Sequence, residues 1–310
     1  MDYFDLHCDT ISECYNEKQA LNRNHMQLSL EKGKNINKWV QTYAIWMNDE
    51  FNHDEAYDYF NKVYAYFLTQ LEEYKGKIEC CKSTKEMNEA FAKGRSAAFL
   101  SIEGSRAIGR EISRVQEYYD KGVRMMTLTW NGKTDVADGC MVENAGGLTT
   151  FGKEVVSKME KVGMLVDVSH LAEKGFWDVV NLTEKPFIAT HSNSKAICNH
   201  PRNLTDEQFN IFVKRKGLVG MNFYPLFING TMEGDIEELI LHIDHFLELG
   251  GEDVVAMGSD FDGAKMPHHM SSIEDIGYLY DLLVRRYGKE KADKFYFENA
   301  YNFFLNQLFI

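Results

Sequence analysis

The sequence predicts an α/β fold, a (β/α)8 barrel of the TIM-like type. Eight short segments are apolar or alternate between apolar and polar residues, as strands do, and segments with helical periodicity separate them. Histidines and carboxylates stand where several of these strand-like segments end. Because a barrel of parallel strands gathers its carboxyl ends on one face, side chains remote in sequence can share a metal ion there. The pattern therefore predicts a metal-dependent enzyme.

The predicted elements alternate along the chain. The strands are expected at residues 3–9, 40–47, 97–103, 123–130, 164–170, 187–193, 218–224 and 254–261. Helical periodicity is clearest at 54–74, 151–162, 206–214 and 235–249. Lys161 before Gly163, and Lys216 before Gly217, show the order of cation and glycine that is typical of helix C-termini. These pairs mark the helix ends before the fifth and seventh strands.

The chain length of 310 residues suits one α/β barrel and requires no second domain. With four prolines in the chain, no proline-rich linker marks a boundary. We therefore expect residues 1–310 to form a single catalytic barrel domain with a C-terminal helical extension from about residue 271 to residue 310. The apolar run Phe303-Phe304-Leu305 in this extension is expected to pack on the barrel.

Composition and charge restrict the classes of partner. The formal net charge of −13 argues against binding to nucleic acid or anionic membranes, since phosphate recognition relies on clustered Lys and Arg. No segment approaches the roughly eighteen consecutive apolar residues of a membrane helix, and the N-terminus lacks the pattern of a secretory signal. The six cysteines have no CxxC spacing and are expected to be reduced thiols. We therefore expect a cytoplasmic protein with a small substrate, and the sequence leaves a homodimer open.

Five residues are candidate metal ligands. His7 and Asp9 lie two positions apart at the end of the first predicted strand, so both should face the barrel mouth. Glu103 and His170 end the third and fifth strands, and His191 lies near the end of the sixth. Each residue alone would more often be a helix cap or a histidine bonded to a backbone carbonyl. Together on one predicted face they favour a metal site, because zinc accepts imidazole and carboxylate ligands.

The remaining histidines have a different context. Those expected at the surface or at helix caps are His25, His53, His242, His245, His268 and His269. His200 adjoins the loop that contains Arg202, so we expect it to be close enough to line the site without binding metal.

Five motifs in order resemble those of one known family. The segments DLHCDT, SIEG, VDVSH, THSN followed by PRN, and GSDFDG resemble the membrane dipeptidase (renal dipeptidase) family of zinc peptidases, and they span almost the whole chain. The resemblance implies a (β/α)8 barrel of the metallo-dependent hydrolase type. It further implies two zinc ions per chain, bridged by a glutamate and a hydroxide, in a soluble microbial-type member of the family.

The resemblance also assigns roles to individual residues. It implies that His7 and Asp9 bind the first metal, that Glu103 bridges, and that His170 and His191 bind the second. It also implies acid/base catalysis and amine anchoring for Asp260 and binding of the substrate carboxylate for Arg202. Apart from the resemblance, Tyr224 ends the seventh predicted strand and is a candidate for lining the substrate pocket. Asp262, two residues after Asp260, should point the same way, near the substrate but farther from the metals.

One position departs from the family pattern. Many members carry a histidine after the fourth strand that contacts the substrate carbonyl, whereas this chain has Leu128-Thr129-Trp130. An indole offers a single N–H donor, and losing one donor to a developing oxyanion can reduce the rate by roughly a hundredfold or more. Trp130 or its neighbour Asn131 is expected to take over part of this role at the substrate, or the specificity differs.

These observations predict a zinc-dependent dipeptidase that hydrolyses dipeptides by a metal-bridging hydroxide. A related amidohydrolase acting on another small amide or a lactone is one alternative, since the same hydroxide attacks any activated carbonyl. A metal-binding barrel whose catalytic chemistry has decayed is the other alternative, for which Trp130 is the motivating residue.

Overall fold

A closed barrel of parallel strands forms the centre of the molecule. The structure, a computed structural model, describes residues 1–308. Its strands are β1 (Tyr3–Cys8), β2 (Trp39–Trp46), β3 (Ile78–Cys80), β4 (Ser96–Glu103), β5 (Val123–Thr127), β6 (Leu165–Asp167), β7 (Ile188–Ala189), β8 (Leu218–Met221) and β9 (Val255–Met257). Eight strands run in the order β2-β1-β9-β8-β7-β6-β5-β4, and pairing of β2 with β4 closes the ring. The predicted (β/α)8 barrel is confirmed.

The predicted strands match the eight barrel strands, with two differences. The short strand β3 pairs in parallel with the first residues of β4 and was not predicted, because three residues carry too little periodicity. Several strands also end earlier than expected. His170 and Asp260 lie beyond the ends of β6 and β9 and adopt positive φ angles of 66° and 64°, which the β conformation excludes.

Helices connect the strands and cover the barrel. They are α1 (Thr10–Asn16), α2 (His53–Glu73), α3 (Thr84–Ala92), α4 (Ser113–Lys121), α5 (Thr150–Val162), α6 (Glu173–Leu182), α7 (Asp206–Arg215), α8 (Pro225–Ile228), α9 (Leu239–Glu248), α10 (Ile276–Tyr287), α11 (Lys289–Asp293) and α12 (Asn299–Gln307). Helix α2 begins with a capping box between Asn52 and Glu55. Helix α5 ends at Val162, and Gly163 after it takes the left-handed conformation that a glycine tolerates best. The segment expected as one helix at 235–249 is a 3-10 turn, Ile236–Glu238, followed by α9.

The C-terminal helix α12 covers one end of the barrel. The ring centroid of Phe304 lies 4.7 Å from that of Phe4 and 5.0 Å from that of Phe99, both in edge-on contacts. Phe303 and Phe304 are buried, whereas Leu305 is half-buried. Since Phe4 and Phe99 belong to β1 and β4, this contact lies on strand residues that precede the ligand candidates His7 and Glu103.

One histidine differs from the expectation of a surface or capping position. His242 on α9 is fully buried. Its Nδ1 accepts a hydrogen bond from the backbone N–H of Ser194, and its Nε2 lies 2.8 Å from the carbonyl oxygen of Ile228. The prediction was wrong because the loop after β7 and helix α8 pack against α9 and supply partners from distant parts of the sequence. Within residues 1–308, no helix combines the length and apolar character needed to cross a bilayer.

Candidate metal centre

Six side chains converge where the strands end. His7 lies in β1, Asp9 follows it at the start of α1, and Glu103 is the last residue of β4. His170, His191 and Asp260 come from the loops after β6, β7 and β9. All six are at most 9% exposed. The barrel therefore brings together residues that lie up to 253 positions apart in the sequence, as the strand-end pattern predicted.

Glu103 occupies the middle of this cluster, with its two oxygens directed at different histidines. Oε2 lies 3.4 Å from Nε2 of His7, whereas Oε1 lies 2.9 Å from Nε2 of His170 and 3.6 Å from Nε2 of His191. The potential ligand atoms of His7, Asp9 and Glu103 lie within 4.8 Å of one another, and the same holds for Glu103, His170 and His191. The arrangement thus contains two three-residue groups that share one carboxylate.

Two buried polar atoms of the cluster have no hydrogen-bond partner among the described residues. They are Nε2 of His7 and Oδ1 of Asp9. Each such atom left unpaired away from water typically lowers the stability of the fold by about 1–3 kcal/mol. A bound ligand that pairs with both atoms would remove this loss. A divalent cation fits, because imidazole nitrogens and carboxylate oxygens are ligands that zinc prefers. The residues present are therefore suited to hold metal.

The cluster also perturbs the protonation of its members. Burial alone would lower the pKa of His7, but the carboxylates of Glu103 and Asp9 outweigh it and raise that pKa well above its usual value. Burial alone would raise the pKa of Glu103, but the charge of His7 and the polar contacts with the imidazoles of His170 and His191 hold it well below its usual range.

The two remaining histidines behave in the opposite way. Burial lowers the pKa of His170 and of His191 to about 4, with additional repulsion from Arg202 and His7. Both imidazoles are therefore neutral near pH 7, the form in which histidine binds a metal.

Close packing around Asp260 fixes this carboxylate beside the cluster. Its Oδ1 lies 3.9 Å from Nε2 of His7, and Nδ2 of Asn222 donates a 2.9 Å hydrogen bond to its Oδ2. A Cβ atom on Gly263 would lie 1.9 Å from Oδ2 of Asp9 and 2.8 Å from Oδ1 of Asp260. A Cβ atom at position 263 would therefore displace the Asp9 and Asp260 carboxylates.

A cavity of about 530 Å³ opens above the cluster, within the usual size range of small-molecule sites. Four predicted residues line it in addition to the cluster, namely Trp130, Asn131, Tyr224 and Asp262. The Trp130 ring packs edge-on against Trp46, which also lines the cavity.

Two of these four side chains hold other parts of the site. Oδ1 of Asn131 lies 3.0 Å from Nδ1 of His170, so this amide orients a histidine of the cluster. Asp262 accepts hydrogen bonds from Thr10 Oγ1 and from the backbone N–H of Gln27, both at 2.6 Å. Asp262 therefore ties the loop after β9 to the segment that follows α1.

Arg202 lies behind the main cavity, in a small adjoining cavity of about 30 Å³ that also contacts His170. Its Nη2 donates to the carbonyl oxygen of His191 at 3.1 Å, and its guanidinium lies over the Phe227 ring. Its Nε is buried without a hydrogen-bond partner in the described part of the chain. His200 accepts from the Arg202 backbone N–H at 3.2 Å and so supports this loop.

Sequence reasoning missed three buried polar residues beneath the cluster. Asp5 accepts from the backbone N–H of His7 and from Ser259, Asp167 lies behind His191, and Asn222 holds Asp260. A signal for Asp5 and Asp167 was present, since each is a charged residue inside an apolar strand, YFDLH and LVDV. Asn222 offered a similar signal, as a polar residue in the apolar run LVGMNF, but its partner Asp260 is 38 residues away and only the fold brings the two together.

Comparison with known proteins shows which family the chain resembles. The sequence model of the membrane dipeptidases, peptidase family M19, matches residues 1–305. A protein of Klebsiella pneumoniae, described as an uncharacterized protein in the pqqA 5' region, is 32% identical over 235 residues, which cover 72% of this chain and 87% of that protein.

Two solved structures are similar over 99% of both chains. A metallopeptidase from Rhodobacter sphaeroides, bound to a phosphinate mimic of the dipeptide L-Ala-D-Ala, has a TM-score of 0.92 and 25% sequence identity. A dipeptidase of family M19 has a TM-score of 0.93 and 26% identity. The chain belongs to the membrane dipeptidase family, peptidase family M19, and is a hydrolase of the metallo-dipeptidase class.

Proposed function

We propose that the protein is a dipeptidase that holds two zinc ions, one by His7, Asp9 and Glu103 and the other by Glu103, His170 and His191. The observation that carries the proposal is the position of Glu103. Each of its oxygens faces a different histidine group, as a bridging carboxylate requires. The unpartnered atoms Nε2 of His7 and Oδ1 of Asp9 give further support, because both belong to the first group.

The proposed chemistry divides between the metals and the chain. Two zinc ions would lower the pKa of a shared water and polarise the scissile carbonyl. Asp260 lies beside the cluster and would accept the proton of the attacking water and return it to the leaving amine. Asn222 holds one Asp260 oxygen by a hydrogen bond and leaves the other, Oδ1, directed at the cluster.

The proposed substrate is a free dipeptide. Asp260 would anchor its amino group, and Arg202, whose buried Nε has no partner among residues 1–308, would bind its carboxylate. The ligand of the Rhodobacter sphaeroides relative, a mimic of L-Ala-D-Ala, is consistent with a substrate of this length. In this proposal residues 1–310 act as one catalytic domain, with the C-terminal helices as its extension.

Metal analysis of variants tests the proposal. Wild-type protein loaded with zinc and dialysed should retain about two ions per chain, and His170→Ala/His191→Ala should retain about one. Glu103→Ala should weaken both sites. His25→Ala is the matched control and should retain two ions, because His25 is exposed and pairs with Glu17, outside the cluster. One tight ion in the wild type, unchanged by the double replacement, would defeat the two-zinc assignment.

A further inference from the structure

A buried chain of hydrogen bonds runs behind His191. Asp167, at the end of β6, is fully buried and accepts four hydrogen bonds. Its Oδ1 accepts from the backbone N–H groups of Ser169 at 3.0 Å and Thr190 at 2.9 Å. Its Oδ2 accepts from the hydroxyls of Thr127 and Thr190, both at 2.6 Å. Oγ1 of Thr190 in turn lies 2.8 Å from Nδ1 of His191.

The position of each hydrogen in this chain follows from counting donors. A carboxylate can only accept, and four donors around Asp167 match its ionised form. The single hydroxyl hydrogen of Thr190 therefore lies on the bond to Asp167. The contact between Thr190 and His191 then needs a hydrogen from the ring, so Nδ1 of His191 must carry it.

We propose that Asp167 is a positioning residue that acts through Thr190 to fix His191 as the Nδ1–H tautomer, which leaves the Nε2 lone pair free for metal. This inference rests on the proposed role of His191 as a ligand. Nε2 of His191 lies 3.0 Å from Nε2 of His170 and points into the cluster. For His170 the same task falls to Asn131, whose Oδ1 contacts Nδ1 directly.

The isosteric substitution Asp167→Asn should reverse the direction of the hydrogen bonds from residue 167 through Thr190 to His191. The two backbone N–H groups at Oδ1 can only donate, so the amide oxygen must take that position. The amide nitrogen then faces the two hydroxyls and donates to them. The hydroxyl hydrogen of Thr190 is freed to point at Nδ1 of His191, and the ring proton moves to Nε2. A protonated Nε2 cannot bind a metal.

Nitrogen NMR of the histidine side chains in the metal-free protein reads this tautomer directly. At a pH where the imidazoles are neutral, His191 should carry its proton on Nδ1 in the wild type and on Nε2 in Asp167→Asn. Thr127→Val is the matched control, because it removes a donor to the same Asp167 oxygen without touching His191. It should keep the wild-type tautomer. The same tautomer in wild type and Asp167→Asn would overturn the proposal.

Zinc affinity gives a second measurement that does not depend on turnover. Asp167→Asn and Thr190→Val should each weaken one of the two sites by about 10–100-fold, the usual effect of losing a group that orients a ligand. Thr190→Ser keeps the hydroxyl and should restore affinity. In Thr190→Val, adding Asp167→Asn should change affinity little, because the connection is already cut. A large additional loss would contradict action through Thr190.

The two measurements separate this inference from the proposed function. If Asp167→Asn leaves the tautomer of His191 unchanged, Asp167 does not act on His191 through Thr190, whatever the metal content. If Asp167→Asn reverses the tautomer and leaves zinc affinity unchanged, the action through Thr190 is supported. The same result would contradict His191 as a ligand, and with it the proposed set of metal ligands.

Discussion

Glu103 determines the geometry of the site at the scale of single residues. It lies between His7 on one side and His170 on the other, and its pKa is held well below its usual range although burial opposes ionisation. An ionised, buried carboxylate needs compensating positive charge. In the metal-free protein the protonated His7 supplies it, and two metal ions would supply more.

The role of Asp260 leads to a prediction about chemistry without metal loss. Asp260→Asn should keep near-normal zinc content and lower turnover by about 10²–10⁴-fold, because proton transfer is removed while the five proposed ligands remain. Metal content and steady-state kinetics of the same preparation check this. Asp262→Asn is the control. The Asp262 carboxylate accepts hydrogen bonds from Thr10 and Gln27, so the Asp262→Asn variant should have lower thermal stability and a smaller loss of turnover. Unchanged turnover in Asp260→Asn would place the acid/base role elsewhere.

The pKa of His7 predicts how zinc binding depends on pH. After the opposing effect of burial, Glu103 and Asp9 raise this pKa well above its usual value, so His7 is protonated in the metal-free protein near neutral pH. Zinc must displace this proton, so affinity should fall as pH falls, by about tenfold per pH unit for one released proton.

Calorimetry in two buffers of different ionisation enthalpy measures the released proton. The apparent enthalpy of zinc binding should depend on the buffer in the wild type and less so in His7→Gln. A buffer-independent enthalpy in the wild type would contradict the predicted protonation of His7.

At the scale of elements, the order of the eight barrel strands and the position of the long helices were predictable, whereas the exact strand ends and the paths of the loops were not. Strand and helix periods are local and visible in the sequence, and they placed His7 and Glu103 correctly at the carboxyl ends of barrel strands. The setting of Arg202 in an adjoining cavity depends on how the loop after β7 folds over α9 and α8, which no local pattern encodes. The burial of His242 was missed for the same reason.

The close approach of two strand ends gives a prediction at this scale. Gly263, after β9, leaves no room for a Cβ atom beside Asp9, after β1. Gly263→Ala should displace the Asp9 carboxylate, lower zinc content and reduce turnover strongly, because ligand positions matter on a scale of about 1 Å. Gly76→Ala is the matched control, since a Cβ there meets nothing within 4 Å. Full zinc content and turnover in Gly263→Ala would show that the Asp9 carboxylate can move without loss of the site.

For the whole molecule, the two proposed anchors predict the length of the substrate. Asp260 and Arg202 hold opposite ends of a free dipeptide, so N-acetyl dipeptides, dipeptide amides and tripeptides should be poor substrates. Arg202→Ala should weaken catalysis on free dipeptides by about 1.5–3 kcal/mol, the range for a hydrogen bond to a charged group. On dipeptide amides, which lack the carboxylate, the same substitution should add little. Equal cleavage of capped and free dipeptides would favour the broader amidohydrolase.

In the proposed mechanism the barrel mouth holds two metal ions that act together on a dipeptide. The most direct measurement titrates zinc into the metal-free protein while following hydrolysis of a free dipeptide. We predict that activity rises until about two equivalents of zinc are bound per chain, because both groups around Glu103 must be filled. Activity that saturates at one equivalent, or zinc binding without any hydrolysis, would contradict this account.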